Sequence, residues 1–443
     1  MRLDAFSDSG YFWLPGGEDQ SLQVPGNLSV SEAGRVTLET FGYWSKDPLS
    51  LAHDNQPSKL TRIFGYTPER GNVTLTGAVA TRDRIQSRTN GWVFNCTSFV
   101  ADRLLTGGHF SENYPLFDRL GFKIEVLHEW IGVPGFTIER ESHLCTSITY
   151  QRPAPLPFQV SDDVVGEFGL EHSISFQAPA GIKVPEAHYS AYIKISNSMS
   201  WTTEEVLRWV LCMRNFVSLG TGVPVAITSL AGWKRTDGYE DENTDDREEV
   251  VEIFCESQQH SPKPIAKLLP QFMNFTYRDL ADVSDSIQRW IDLCLCGRSK
   301  GGQAVKLFFD SLYGDGILPV DLRFIKVEES LQKLAPVMGV VTKERETEKR
   351  IMLMVAKFSE LLGIEAGCEM EFAKRVRATR NLWVHRDPRP EAQACEGVDL
   401  LRLLDQCETL LFCCLTAQVL GSEKEAIRVL RDARPIKDRV RSA

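Results

Sequence analysis

Arg380, Asn381 and His385 lie within one short cationic segment, Lys374-Arg375-Val376-Arg377-Ala378-Thr379-Arg380-Asn381-Leu382-Trp383-Val384-His385-Arg386-Asp387-Pro388. Together they have the chemistry to break a phosphodiester. Cleavage of RNA without a metal needs a base for the 2′-hydroxyl proton, an acid for the departing 5′-oxygen and a cation for charge growing on the phosphate. An imidazole suits proton transfer near neutrality, and His385 is the only histidine from residue 275 onward. Arg380 offers a planar fork for phosphate oxygens. Asn381, four residues before His385, is close enough on a helix to fix the imidazole tautomer or hold a phosphate.

The spacing constrains how these groups are positioned. Five residues of regular helix turn a side chain by about 140°, so Arg380 and His385 do not share a face. Either Arg380 stands at an irregular helix start, or the site is shared between subunits. Six Lys or Arg residues and one acid, Asp387, lie between Lys374 and Arg389, in a chain of net charge −10. Such a segment attracts a phosphate backbone. Lys374, Arg375, Arg377 and Arg386 are accordingly candidates for RNA binding, and a solvated helix face explains them equally well. His385 also fits a partly buried histidine bonding a carbonyl before Pro388 and Pro390, and Arg380 fits an ordinary surface ion pair. Leu382 and Trp383 read as core or dimer contacts.

Other constellations fail. There is no Walker A loop and no G-x-G-x-x-G, and Gly314-Asp315-Gly316 reads as a turn. His143 with Cys145, and His260 with Cys255, lack a second ligand pair at zinc-finger spacing. Asp162-Asp163 reads as a loop. No metal and no cofactor is called for.

At 443 residues the chain is long for one core, so two domains, or three, are expected. A hydrophobic content of 42% and a charged content of 25% are those of a globular protein. Eleven cysteines, with no C-x-x-C, read as buried thiols of a reducing cytosol rather than a disulfide framework. No apolar leader opens the chain and no stretch approaches the ~20 apolar residues of a membrane span. A cytoplasmic location and no membrane partner are therefore expected. From Thr276 onward there are 27 Lys and Arg against 26 Asp and Glu, leaving 23 against 34 before it, so the acidity is all N-terminal.

The fold class expected is α+β: a mainly-β N-terminal domain over residues 1–260, sandwich or barrel-like, then an all-α bundle over 275–443. Hairpins are signalled by Gly26–Val30 with Arg35–Glu39, and by Ile63–Tyr66 with Gly71–Thr76. Phe122, Ile124, Val126, His128 and Trp130 alternate with mostly polar residues, as on a half-buried strand. Thr202-Thr203-Glu204-Glu205 is a capping box for a helix running to Gly220. Asp237–Glu249, with eight acids, reads as a solvated loop, and Ser261-Pro262-Lys263-Pro264 as the break between domains. Beyond it the spacing predicts helices at 278–296, 303–313, 319–334, 343–362 and 369–378, a short one through the Arg380–His385 segment, and one at 399–420. In the last, Leu400, Leu403, Leu404, Cys407, Leu411, Cys414, Leu415 and Gln418 mark one face, all but Gln418 apolar. A short helix at 422–432 and a frayed basic tail follow.

The spacing R-N-x-x-x-H resembles the signature of HEPN ribonucleases (higher eukaryotes and prokaryotes nucleotide-binding domains). The longer form, Thr379 to Pro388, is similar to the ApeA-like branch, whose members are associated with anti-phage defence. The opening of the chain agrees: Gly10–Pro15, Val24–Leu28 and Leu38–Gly42 resemble the start of the N-terminal domain that accompanies ApeA-like HEPN domains. The resemblance implies a metal-independent endoribonuclease acting in abortive infection as a homodimer through the HEPN domain. It further implies a β-domain that restrains or releases the activity, and a phage-derived trigger. It makes Arg380, Asn381 and His385 catalytic, with RNA, tRNA among the candidates, as substrate. A polar residue from an earlier helix is also implied, with Glu328, Glu329 and Ser330 as candidates. The alternative is a non-cleaving dimerisation or nucleotide-binding scaffold whose β-domain binds a ligand or phage protein.

Overall fold

The computed structural model describes residues 4–16, 23–42, 44, 59–87, 93–110, 117–140, 146–177, 184–234, 250–256, 265, 268–295, 299–340, 346–385 and 394–442. The acidic stretch 237–249, the break at 261–264 and the His143, Cys145 and His260 positions lie outside them. The strands are β1 (Phe6–Trp13), β2 (Val24–Val30), β3 (Val36–Phe41), β4 (Lys59–Thr67), β5 (Gly71–Ser87), β6 (Val93–Ala101), β7 (Arg103–Thr106) and β8 (Phe117–Ile124). A short helix α1 (Leu127–Ile131) precedes β9 (Phe136–Arg140), β10 (Thr146–Tyr150), β11 (Leu156–Gln159), β12 (Val164–Gln177) and β13 (Val184–Trp201). Then come α2 (Thr203–Thr221), β14 (Ile227–Lys234) and β15 (Val250–Cys255). The chain ends in α3 (Val283–Leu295), α4 (Lys300–Leu312), α5 (Val320–Leu334), α6 (Thr347–Leu362), α7 (Glu369–His385), α8 (Gly397–Leu420), α9 (Glu423–Leu430) and α10 (Arg434–Ser442). The class is α+β, as expected.

By backbone proximity the chain divides into two compact units. The first comprises Met1–Lys123, Ile193–Leu207 and Ala226–Ser261. Its strands run β5-β4-β1-β2-β3-β6, and β6 pairs back onto β5, so the barrel is closed. Closure depends on β5 serving two neighbours along one edge: Val73–Thr76 pair with β7 and Val79–Ser87 with β6. The strand turns between them at Gly77, where φ is +65° and a Cβ would lie 2.0 Å from the Asp102 carboxylate. Only glycine tolerates both constraints. Phe12, Leu28, Val36, Leu38, Ile63 and Leu75 alternate along the strands and are buried. Both expected hairpins are present, as β2–β3 and β4–β5.

The second unit gathers Ile124–Tyr192, Arg208–Val225 and Pro262–Ala443. The alternation from Phe122 to Trp130 does not continue as a strand. The backbone turns left-handed at Val126 (φ 53°) and Leu127–Ile131 coil into α1, burying Leu127, Trp130 and Ile131. Residues spaced two apart along that stretch served a strand and then one helical turn, which periodicity alone does not separate. The capping box at α2 is formed: the Thr202 N–H donates to Glu205 Oε2 at 2.8 Å, and the Glu205 N–H to Thr202 Oγ1 at 3.3 Å. Later in α2, Cys212 O accepts from Trp290 Nε1 at 2.9 Å and Ser218 Oγ shares a 2.8 Å hydrogen bond with the Tyr313 hydroxyl.

Helix α8 departs from its expected single apolar face. Its residues from Cys407 to Ala417 are buried on every side, so it is the central rod of the bundle rather than an amphipathic member. By length and composition it could cross a membrane, contrary to the sequence expectation, yet most of it is packed inside this unit. It carries one carboxylate into the core, Glu408, whose side chain is 3% exposed. Arg323 Nη2 of α5 meets Glu408 Oε1 at 2.8 Å, and Arg439 Nη1 lies 3.8 Å from Oε2. Arg439 also stacks over Phe412 at 4.4 Å. The tail expected to fray is thus the helix α10, held by a buried charge. Burial pushes the Glu408 carboxyl up, against the two arginines.

Removing one member of such a cluster strands a charge away from water. Arg323→Ala should lower unfolding stability by roughly 3 kcal/mol in urea titrations. Adding Glu408→Gln should recover part of that loss, because the buried group is then neutral.

Candidate active site on helix α7

Helix α7 is continuous from Glu369 to His385, where the spacing had suggested two helices. Phe372, Ala373, Val376 and Thr379 are its buried residues, at i, i+1, i+4 and i+7, and this face anchors the helix in the bundle. The Thr379 hydroxyl accepts from the Cys395 N–H at 2.9 Å, bringing the chain back against α7 before α8 begins. With the helix unbroken, the irregular start proposed for Arg380 does not occur. Arg380 and His385 stay about 140° apart around the axis and about 7.5 Å apart along it.

Arg380 is held from below. Its Nε lies 3.1 Å from Glu328 Oε2 on α5; the Glu328 side chain is 2% exposed and that of Arg380 37%. Of the three candidate polar residues, Glu328 is therefore the one that reaches the motif. Glu329 pairs with Lys333 at 3.4 Å, and Ser330 Oγ donates to Ala304 O at 2.8 Å. A signal for Glu328 was present in the sequence. Phe324, Val327, Leu331 and Leu334 form the buried face of α5, and Glu328 falls among them at i+4 from Phe324. An acid inside an apolar stripe needs a partner. The ion pair of Arg380 is thus with a buried carboxylate, not an ordinary surface one. Burial pushes the Glu328 carboxyl up to about 7, although Arg380 and Gln332 oppose the shift.

His385 ends α7 and is exposed. Among the described residues it has no hydrogen-bond partner, so the buried, carbonyl-bonded histidine is not what is seen. Asn381 is half-buried, one turn before it on the same side. The basic residues separate. Arg375 Nη2 reaches Gln406 Oε1 of α8 at 3.4 Å, Arg377 Nη1 pairs with Glu348 Oε1 at 3.0 Å, and Lys374 is exposed. Arg386 lies outside the described residues. Trp383 and Val384 at the end of α7, and Val398 and Leu401 at the start of α8, are exposed apolar side chains, while Leu382 is half-buried.

The Glu328 shift has a definite pH signature. A carboxyl whose folded pKa is raised contributes stability that is complete below its unfolded value and is lost as pH rises through about 7. Wild-type stability should therefore fall between about pH 4.5 and 7 relative to Glu328→Gln. Urea midpoints at several pH values for the two proteins check this, and parallel curves would contradict it.

Residues 9–290 match the model of ApeA N-terminal domain 1, and residues 326–425 match that of the Apea-like HEPN domain. The second span runs from within α5 into α9 and contains Glu328, Arg380 and His385. No curated protein and no solved structure matches the chain. With the first model alone covering more than half of its length, the chain belongs to the ApeA-like HEPN family, an ApeA N-terminal domain followed by an ApeA-like HEPN domain.

Proposed function

We propose that this protein is a metal-independent HEPN endoribonuclease serving as an effector of anti-phage defence. The observation that carries the reading is the guanidinium of Arg380, clamped by buried Glu328 yet open to solvent, on the same helix as an exposed His385. A cation fixed on one side and wet on the other is preorganised for a phosphate, since little further ordering is needed when the phosphate arrives.

In this mechanism the 2′-hydroxyl oxygen attacks the adjacent phosphorus while an imidazole accepts its proton. Arg380 stabilises the charge on the phosphorane oxygens. The P–O5′ bond breaks as the 5′-oxygen receives a proton from the imidazolium, leaving a 2′,3′-cyclic phosphate and a 5′-hydroxyl. Asn381 orients His385 or the phosphate. Because Arg380 and His385 diverge on one helix, the reading requires a homodimer in which two copies of α7 line a common cleft. The exposed apolar residues Trp383, Val384, Val398 and Leu401, close to the motif in the chain, suit such an interface. The ApeA N-terminal domain acts as the sensor that restrains or releases cleavage, in a bacterial cytoplasm.

Incubation of the purified protein with total RNA in EDTA tests this. Fragments ending in a cyclic phosphate and a 5′-hydroxyl are expected. His385→Ala and Arg380→Ala should each reduce cleavage by about 10²-fold or more with fold and oligomeric state intact. Intact RNA, even from cells under phage infection, would leave a non-cleaving dimerisation or nucleotide-binding scaffold as the account.

A further inference from the structure

Among the described residues, the packing of α7 leaves one strip of the helix unclaimed. Taking His385 as the reference direction and about 100° per residue, Lys374, Ala378 and Asn381 all fall within about 40° of it. Val376 points the opposite way and is fully buried. The flanks are occupied. Arg377 leans about 80° to one side, toward Glu348 of α6, and Arg375 about 80° to the other, toward Gln406 of α8. Arg380 sits further round, on Glu328. Among the described residues, Lys374, Asn381 and His385 have no hydrogen-bond or ion-pair partner. The strip is basic and polar, and Ala378 at its middle makes it shallow. One turn beyond Lys374 it meets Glu371, which is exposed and of the wrong sign for a phosphate.

We infer that this strip is a substrate track, with Lys374 binding a backbone phosphate of the same RNA strand whose scissile phosphate lies at His385. The inference rests on the nuclease reading and deepens it. Eleven residues of helix separate the two ends, about 16 Å, which is more than one nucleotide step, so Lys374 contacts a phosphate outside the cleaved dinucleotide. Glu371 sets the far limit by repulsion. Arg375 and Arg377, with their guanidiniums engaged to the sides, are off the track although equally basic. A strand laid along α7 explains why, among the described residues, one cation of the segment has no partner while its neighbours are paired.

The test is steady-state cleavage of a single-stranded RNA of about ten nucleotides, a length within the range of one single-strand binding site. Lys374→Ala should raise KM about fivefold at low salt with kcat unchanged, and Lys374→Arg should restore it. The slope of log affinity against log salt should become shallower by about 0.7, one phosphate contact on a single strand. Arg375→Ala and Arg377→Ala should change KM less than twofold, and Glu371→Gln should lower it. Wild-type KM in Lys374→Ala, or equal effects from all three basic residues, would overturn the track while leaving the nuclease standing. If the wild type cleaves nothing, the nuclease reading fails. Fluorescence anisotropy on the same RNA then decides the track: the Lys374-specific change in salt slope supports it, and no such change, or no RNA binding, refutes it.

Discussion

Two carboxylates buried in an apolar bundle organise the helical region of this protein. Water solvates a carboxylate far better than packed hydrocarbon does, so each must meet a guanidinium or give up its charge. Helix α5 carries one member of each pair, five residues apart. Arg323 reaches Glu408 on α8, and Glu328 receives Arg380 from α7. The helix bearing the motif and the rod beside it, buried on every side from Cys407 to Ala417, are thereby both registered against α5. Hydrophobic packing alone tolerates small rotations and slips; a buried ion pair with one good geometry does not.

This registration bears directly on the chemistry. Rotating α7 so that Glu328 and Arg380 meet turns His385 outward, because helical geometry fixes the angle between them. The same rotation sends Arg375 and Arg377 to the flanks and leaves Lys374 facing solvent. Among the described residues, a cluster that looks uniformly cationic in one dimension becomes four side chains with different surroundings. One is clamped to a buried acid, two are tied to neighbouring helices and one is open. The raised Glu328 carboxyl follows from the same burial, and makes the clamp sensitive to protons near neutrality.

The β-rich part illustrates a different constraint. A sheet that closes on itself must bend, and β5 does so at Gly77, where it passes from one neighbour to another. The glycine is required by backbone angle and by the Asp102 side chain together. The alternation of Phe12, Leu28, Leu38 and Leu75 toward the interior then fills the barrel.

Local signals determined a good deal on their own. The change of period near residue 275, the capping box at Thr202, the two hairpins and the R-N-x-x-x-H spacing are statements about neighbours a few residues apart, and such information is carried by the chain itself. Where two local structures share a pattern, as from Phe122 to Trp130, periodicity could not choose, and a left-handed Val126 did. The all-round burial of α8, the single span of α7 and the helical tail held by Arg439 depend on what packs against them. The choice of Glu328 over Glu329 and Ser330 was half legible, as an acid in an apolar stripe. Which guanidinium it would meet was not, because 52 residues of chain separate it from Arg380 and only the folded bundle brings the two to 3.1 Å.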